Sequence, residues 1–201
     1  PTQRPHQHNS GQRRHQRIRF NMPPLARLGQ AGGTGLGRLE NLSPGGLMVR
    51  TELPLKVGYA FGCEFSVFGS ALIDISAVVV SRVGDLYCAR FQAGPISEQL
   101  LKDEIVRALS CGKASVLSLN EFQGRRVMRV VGGLNGSLRN DFMHGLAKVG
   151  VDEIDLSEVN DIDSAGAELC RIAAQVYRIG VVRPSCRISN EMAAIAGWPA
   201  D

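Results

Sequence analysis

Arg13 and Arg17 stand four positions apart in the segment Arg13-Arg14-His15-Gln16-Arg17, which carries no acidic residue. A guanidinium is a planar fork of donors that can hold two phosphate oxygens at once, and its face stacks on a purine. Two of them on one short segment suit a ligand that combines phosphates with bases. The first thirty residues hold six arginines (Arg4, Arg13, Arg14, Arg17, Arg19 and Arg27) and neither Asp nor Glu. A concentrated basic arm of this kind points to a polyphosphate, a nucleic acid or an acidic surface. Taken alone, the RxxxR spacing has a plainer origin, because any arginine-rich, solvated terminus produces it easily.

A second group lies downstream, Asn41-Leu42-Ser43-Pro44-Gly45-Gly46. Asn41 offers an acceptor and donors to a base edge, and Ser43 adds a small hydroxyl. Gly46 removes a Cβ where the backbone must approach a ligand or take positive φ. A Ser-Pro-Gly turn whose Asn and Ser satisfy local backbone groups also accounts for this pattern. That plain turn does not account for the arginine pair before it.

The elements that must position these residues are short strands broken by glycine and polar turns. Residues 1–10 lack large apolar side chains and read as a disordered tail. Strands are expected at Arg17–Met22, Gly35–Glu40, Gly46–Thr51, Cys63–Val67, Leu72–Val83 and Leu86–Phe91, with a tight hairpin at Val83-Gly84-Asp85-Leu86. Such spacing suggests a small closed barrel. Gly32–Gly37 lacks the lysine of a phosphate-binding P-loop and reads as a barrel loop. Pro95 opens a helix in which Ile96, Leu100, Leu101, Ile105 and Leu109 fall at helical spacing, with Gly112 as its stop.

In this order, the RxxxR pair, the NxSxxG turn, the strands and the closing helix resemble the PilZ family, from about Gln12 to Gly112. The resemblance implies a small antiparallel barrel with a C-terminal helix over 11–112. It also implies that the barrel receives the bacterial second messenger cyclic di-GMP. Carried onto this sequence, the ligand residues are Arg13, Arg17, Asn41, Ser43 and Gly46, with Arg14 beside the pair as a further contact.

After Gly112 the chain changes style. Strands at Val127–Val131, Glu153–Leu156 and Val181–Ile188 alternate with helices at Ser137–Val149, Ala165–Ile179 and Asn190–Ala196, and Ser115–Asn120 is an extra strand. Alternation of this kind argues an α/β layer over 113–201. Asp163-Ser164-Ala165-Gly166 joins a strand to a helix, with Asp163 as N-cap. The pattern resembles the STAS domain of anti-sigma factor antagonists, whose D-S-S/T-G serine is phosphorylated by a partner kinase. Ser164 is the matching residue here, Ala165 departs from the motif, and the resemblance implies an unidentified protein partner.

The remaining composition excludes more than it adds. No apolar run approaches the roughly 20 residues that cross a bilayer, and no secretory signal is visible, so a cytoplasmic protein is expected. The five cysteines are widely spaced without a CxxC pair, which speaks against a zinc ribbon or disulfide framework. No catalytic set, metal site or cofactor is indicated, and an enzyme is not expected. Residues 1–123 carry fourteen Lys and Arg against nine acids, and residues 124–201 carry nine against ten. The basic arm lacks a continuing Lys/Arg stripe, so extended nucleic-acid binding is not expected. The rival reading is a ligand-independent scaffold built on the same barrel.

Overall fold

The structure is a computed structural model, and it describes residues 16–182 together with Ile188. Arg13, Arg14, the expected tail over 1–10, most of the strand Val181–Ile188 and the helix Asn190–Ala196 lie outside the described residues. Eleven strands and three α-helices are present among them.

The first half is an antiparallel barrel. Strands β2 (Leu25–Gln30), β3 (Gly33–Ser43), β4 (Gly46–Thr51), β5 (Ala60–Phe65), β6 (Ile73–Val83) and β7 (Leu86–Phe91) are hydrogen-bonded in the ring β3-β2-β5-β6-β7-β4 and back to β3. The period-2 alternation of each strand sends one set of side chains inward. Leu28, Leu39, Leu42, Val49, Phe65, Ile73, Ala77 and Tyr87 form the interior. The hairpin at Val83–Leu86 forms as expected, with Gly84 at φ 61°. Helix α1 (Pro95–Ser110) packs Leu101, Ile105 and Ala108 into this core. Ile96, expected on the same face, is 87% exposed, because it lies in the first turn, ahead of the turns that pack.

Several elements depart from expectation. β2 was not foreseen, and the glycine-rich run is a tight hairpin leading directly into β3, so Gly33–Gly37 is strand and not loop. The strand expected over Arg17–Met22 contracts to β1 (Ile18–Phe20). This short strand occupies an unusual position. One edge pairs with the end of β3, in register Ile18 with Leu42 and Arg19 with Asn41. Its other edge pairs with β8 (Ala114–Phe122), in register Arg19 with Ser115 and Phe20 with Ala114.

Through β1 the barrel runs into a second sheet of order β11-β10-β9-β8. β8 and β9 (Arg125–Leu134) form an antiparallel hairpin, whereas β9, β10 (Glu153–Ile162) and β11 (Gly180–Val182) are parallel. A parallel neighbour requires a crossover, and each crossover here is helical. The first is a continuous run: a 3₁₀ turn at Gly136–Leu138, α2 (Arg139–His144) and a π-type turn at Gly145–Val149. It stops at Gly150, whose φ of 70° ends the helix in the left-handed region, as the sequence suggests. The second is α3 (Ser164–Gln175), which ends earlier than expected because Arg178 takes φ 54° and turns the chain into β11.

Phe142, Leu146, Leu169, Cys170 and Ala173 of the helices pack on Met128, Val130, Ile154 and Leu156 of one sheet face, forming a second core. The opposite face carries cross-strand ion pairs of Arg125 with Glu153 and of Arg129 with Glu158. Burial pushes the thiols of Cys63, in the barrel core, and Cys170, in the second core, up to about 12. Such thiols are un-ionised at neutral pH and unreactive. Cys88 is half-buried and Cys111 is exposed, so burial of the thiols is not uniform.

Two glycines fix close approaches that these packings need. A Cβ on Gly46 would lie 2.2 Å from the Ala89 carbonyl oxygen of β7, and one on Gly166 would lie 2.0 Å from the Leu134 carbonyl oxygen. Both obstacles are backbone and cannot swing aside. Gly46→Ala and Gly166→Ala are therefore each expected to destabilise the fold by about 1–3 kcal/mol. Denaturant unfolding measures this, and an unchanged midpoint in either variant would contradict the packing described.

Candidate functional site

The end of β3 is shaped by a β-bulge. Leu39 pairs with Val49 and Asn41 pairs with Met48, so Glu40 and Asn41 together oppose one residue of β4. A bulge re-aims the side chains beyond it. Leu39 and Leu42 point into the barrel, while Asn41 and Ser43 take the outer face. Pro44-Gly45 then closes a two-residue turn, fixed to β7 by a hydrogen bond from the Phe91 amide to the Gly45 carbonyl at 3.1 Å.

Within this hairpin the motif residues differ in how fully the protein uses them. The Ser43 hydroxyl donates to the Gly46 carbonyl at 3.1 Å, which closes the turn locally. Gly46 is demanded by the approach of β7 and does not take positive φ among the described glycines. Asn41 is different. It is only 7% exposed, and its Oδ1 has no hydrogen-bond partner among the described residues. Leaving a buried carbonyl oxygen unpaired costs about 1–3 kcal/mol. A group of this kind calls for a partner from outside the barrel.

The arginines approach from β1. Arg17 is exposed and immediately precedes the strand, while Ile18 and Phe20 are buried at 1% and 3%. Alternation therefore carries Arg17 and Arg19 to the outer face that holds Asn41 and Ser43. Arg17, Asn41, Ser43 and Gly46 thus gather around one corner of the barrel, where β1, β3 and β4 meet. Arg13 and Arg14, a few residues upstream, are outside the described residues.

Two cations on this face were not singled out from the sequence. Arg19 is in register with Asn41, and Arg90 of β7 is in register with Gly46. The first was legible in the alternation Arg17-Ile18-Arg19-Phe20. The second depends on a pairing between distant strands that no local pattern reports. Arg82, by contrast, serves its own hairpin: its Nε donates to the Gly84 carbonyl at 2.6 Å and its guanidinium lies over the Tyr87 ring. On the adjoining hairpin, Arg50 bonds both Glu40 and Asp85, an exposed pairing that lowers the Asp85 carboxyl and raises the Arg50 guanidinium from their ordinary values.

Ser164 is elsewhere. It is the exposed first residue of α3, beyond Asp163, whose side chain caps the helix by accepting from the Gly166 amide at 2.7 Å. The neighbouring turn at Asn135–Ser137 stands at the same end of the parallel strands, with Ala165 Cβ at 3.4 Å from the position a Gly136 Cβ would take. No group of three or more His, Cys, Asp or Glu that could hold a metal occurs among the described residues. No helix among them is long and apolar enough to cross a membrane.

Comparison with known proteins bears on the barrel. A search of curated proteins finds no match to the chain. Among solved structures, the chain is similar to the PilZ domain with c-di-GMP of YcgR from Escherichia coli, with 24% identity over 49% of this chain and 91% of that one, TM-score 0.43. It is similar also to Bacillus subtilis MotI/DgrA, an inhibitor of motility, with 18% identity over 48% of this chain and 51% of that one, TM-score 0.39. The K. pneumonia MrkH–c-di-GMP complex shows 19% identity over 54% and 53% of the two chains, TM-score 0.42. The chain spans about half the length of these last two proteins. The stretch 11–110 matches the family described as PilZ domain. Residues 11–110 of this chain are a PilZ domain.

Proposed function

We propose that the chain is a cyclic di-GMP receptor whose barrel binds the dinucleotide through Arg13, Arg14, Arg17, Asn41, Ser43 and Gly46. The observation that carries this reading is the buried Asn41 Oδ1, unpartnered among the described residues on the face that Arg17 also occupies. Guanine presents N1–H and N2–H donors, which that oxygen can accept, and the two phosphodiesters of the ligand match the arginine forks. Hydrogen bonds to charged groups contribute about 1.5–3 kcal/mol each, so the arginines supply most of the affinity. Asn41 supplies preference for the base.

The rival scaffold reading draws on Ser43 and Gly46, both of which already have a structural task in the turn. It leaves Asn41 and the arginine arm without one. Calorimetric titration with cyclic di-GMP, with GTP as control, separates the two. Arg13→Ala and Arg17→Ala are each expected to weaken cyclic di-GMP at least about tenfold, or ~1.4 kcal/mol. Wild-type affinity in both variants would sink the assignment.

For the α/β half we infer a STAS-like relay to a protein partner, with Ser164 as phosphoryl acceptor. An antiparallel hairpin leading into parallel strands, with both helices on one face, is compatible with that reading. So is an exposed serine at the start of a helix. A phosphate there meets unpaired N–H groups and the positive end of the helix dipole. Intact-mass analysis of the protein recovered from its host is expected to show one phosphate that Ser164→Ala abolishes. A phosphate retained in that variant, or none in the wild type, would remove Ser164 from the account.

A further inference from the structure

We infer that Arg19 is a shared cation, exchanged between Asp141 of α2 and a phosphate of bound cyclic di-GMP, and that this exchange couples the ligand site to the α/β half. The inference rests on the proposed ligand and adds a residue and a partner to it. Its starting point is the double pairing of β1. The Cα of Arg19 is opposite Asn41 on one side and opposite Ser115 on the other, so this residue stands on the line between the two units.

Its side chain faces outward, since Ile18 and Phe20 fill the inward positions. The guanidinium Nη2 lies 2.8 Å from Asp141 Oδ2, with the two side chains 45% and 42% exposed. Asp141 sits in the first turn of α2, directly after the 3₁₀ turn. That turn is tied back to the same place on β8. Asn135 accepts from the Ser137 amide at 2.9 Å and donates to the Ser115 hydroxyl at 3.4 Å, and Ser115 in turn donates to the Gly133 carbonyl. The start of α2 is thus held to the β1–β8 seam by a buried polar chain and by one half-exposed ion pair. Only the second of these can be broken without orphaning a buried group.

A half-exposed pair contributes little, typically below about 1 kcal/mol, so a better anion displaces it readily. A phosphodiester bound beside Asn41 by Arg17 is such an anion, because Arg19 is directly opposite Asn41 and two residues from Arg17, with both arginines exposed. When Arg19 turns to the ligand, Asp141 loses its partner and α2 loses its ion pair with β1. By reciprocity, whatever strengthens the Arg19–Asp141 pair weakens the ligand.

The test is a calorimetric double-mutant cycle on the full chain with cyclic di-GMP, using Arg19→Gln, Asp141→Asn and the double variant. All are surface changes, and thermal melting checks that each is folded. Asp141→Asn is expected to tighten binding about two- to fivefold by releasing Arg19, the range a half-exposed pair allows. Arg19→Gln is expected to weaken binding, with Arg19→Lys recovering part of the loss. In the Arg19→Gln background, Asp141→Asn should change nothing. An Asp141→Asn variant that binds like wild type or more weakly overturns the inference. So does an equal effect in both backgrounds, which would mean simple removal of a distant negative charge. Wild-type protein that does not bind cyclic di-GMP would overturn the receptor reading, and this inference with it.

Discussion

The structure turns on the hydrogen bonding of three residues. Ile18, Arg19 and Phe20 form a strand too short to persist alone, and it survives because both of its edges are occupied. β3 makes this possible by its length. Its first half pairs with β2, and where β2 has not yet begun, the same edge is free to accept β1. The backbone that would otherwise be an exposed edge is satisfied from both sides. Ile18 and Phe20 add the apolar part of the bond, joining the barrel core beside Leu42 and Ala114. Asn41 of the proposed ligand site and the Arg19–Asp141 pair both lie along this seam.

Much of the barrel was legible in the sequence, and the reasons differ by element. Strands whose inward positions are mostly large and apolar, such as β6 with Ile73, Ile75 and Val79 and β7 with Tyr87 and Phe91, announce themselves by alternation. β2 does not, because Ala26 and Gly29 dilute its pattern and the following glycines imitate a loop. In the folded chain those glycines are strand residues under neighbouring side chains: a Cβ on Gly37 would lie 2.6 Å from a Val49 methyl. Glycine is disfavoured in strands in general, and here close packing overrides that preference. In the second half, the sequence places the two described helices and the parallel strands, overruns the end of α3, and understates β9 and β10, which continue through polar and glycine positions.

The candidate site was legible in type more than in arrangement. The motif named Asn41, Ser43 and Gly46, and the structure then separates their tasks. Ser43 and Gly46 hold the hairpin, whereas Asn41 keeps a buried oxygen open among the described residues. That division depends on the bulge at Glu40, a one-residue irregularity that no propensity scale registers. The same bulge sets which face Asn41 shares with Arg19. Cross-strand neighbours such as Arg90 were beyond a linear reading because their proximity is created by pairing of strands forty residues apart.

The allotment of β8 between the two cores has a bearing on modularity. Ala114 and Val116 belong to the barrel interior, while Leu117 packs against the second core, so a single strand begins in one unit and finishes in the other. The helix that closes the barrel is shared in the same manner, since the Leu109 carbonyl accepts from Asn160 of β10 at 3.3 Å. Severing the chain after α1 would strip the barrel of two interior side chains and lay bare the outer edge of β1. The PilZ unit here is consequently not an interchangeable cassette. Its natural seam runs through a strand, not through the linker that the family boundary suggests.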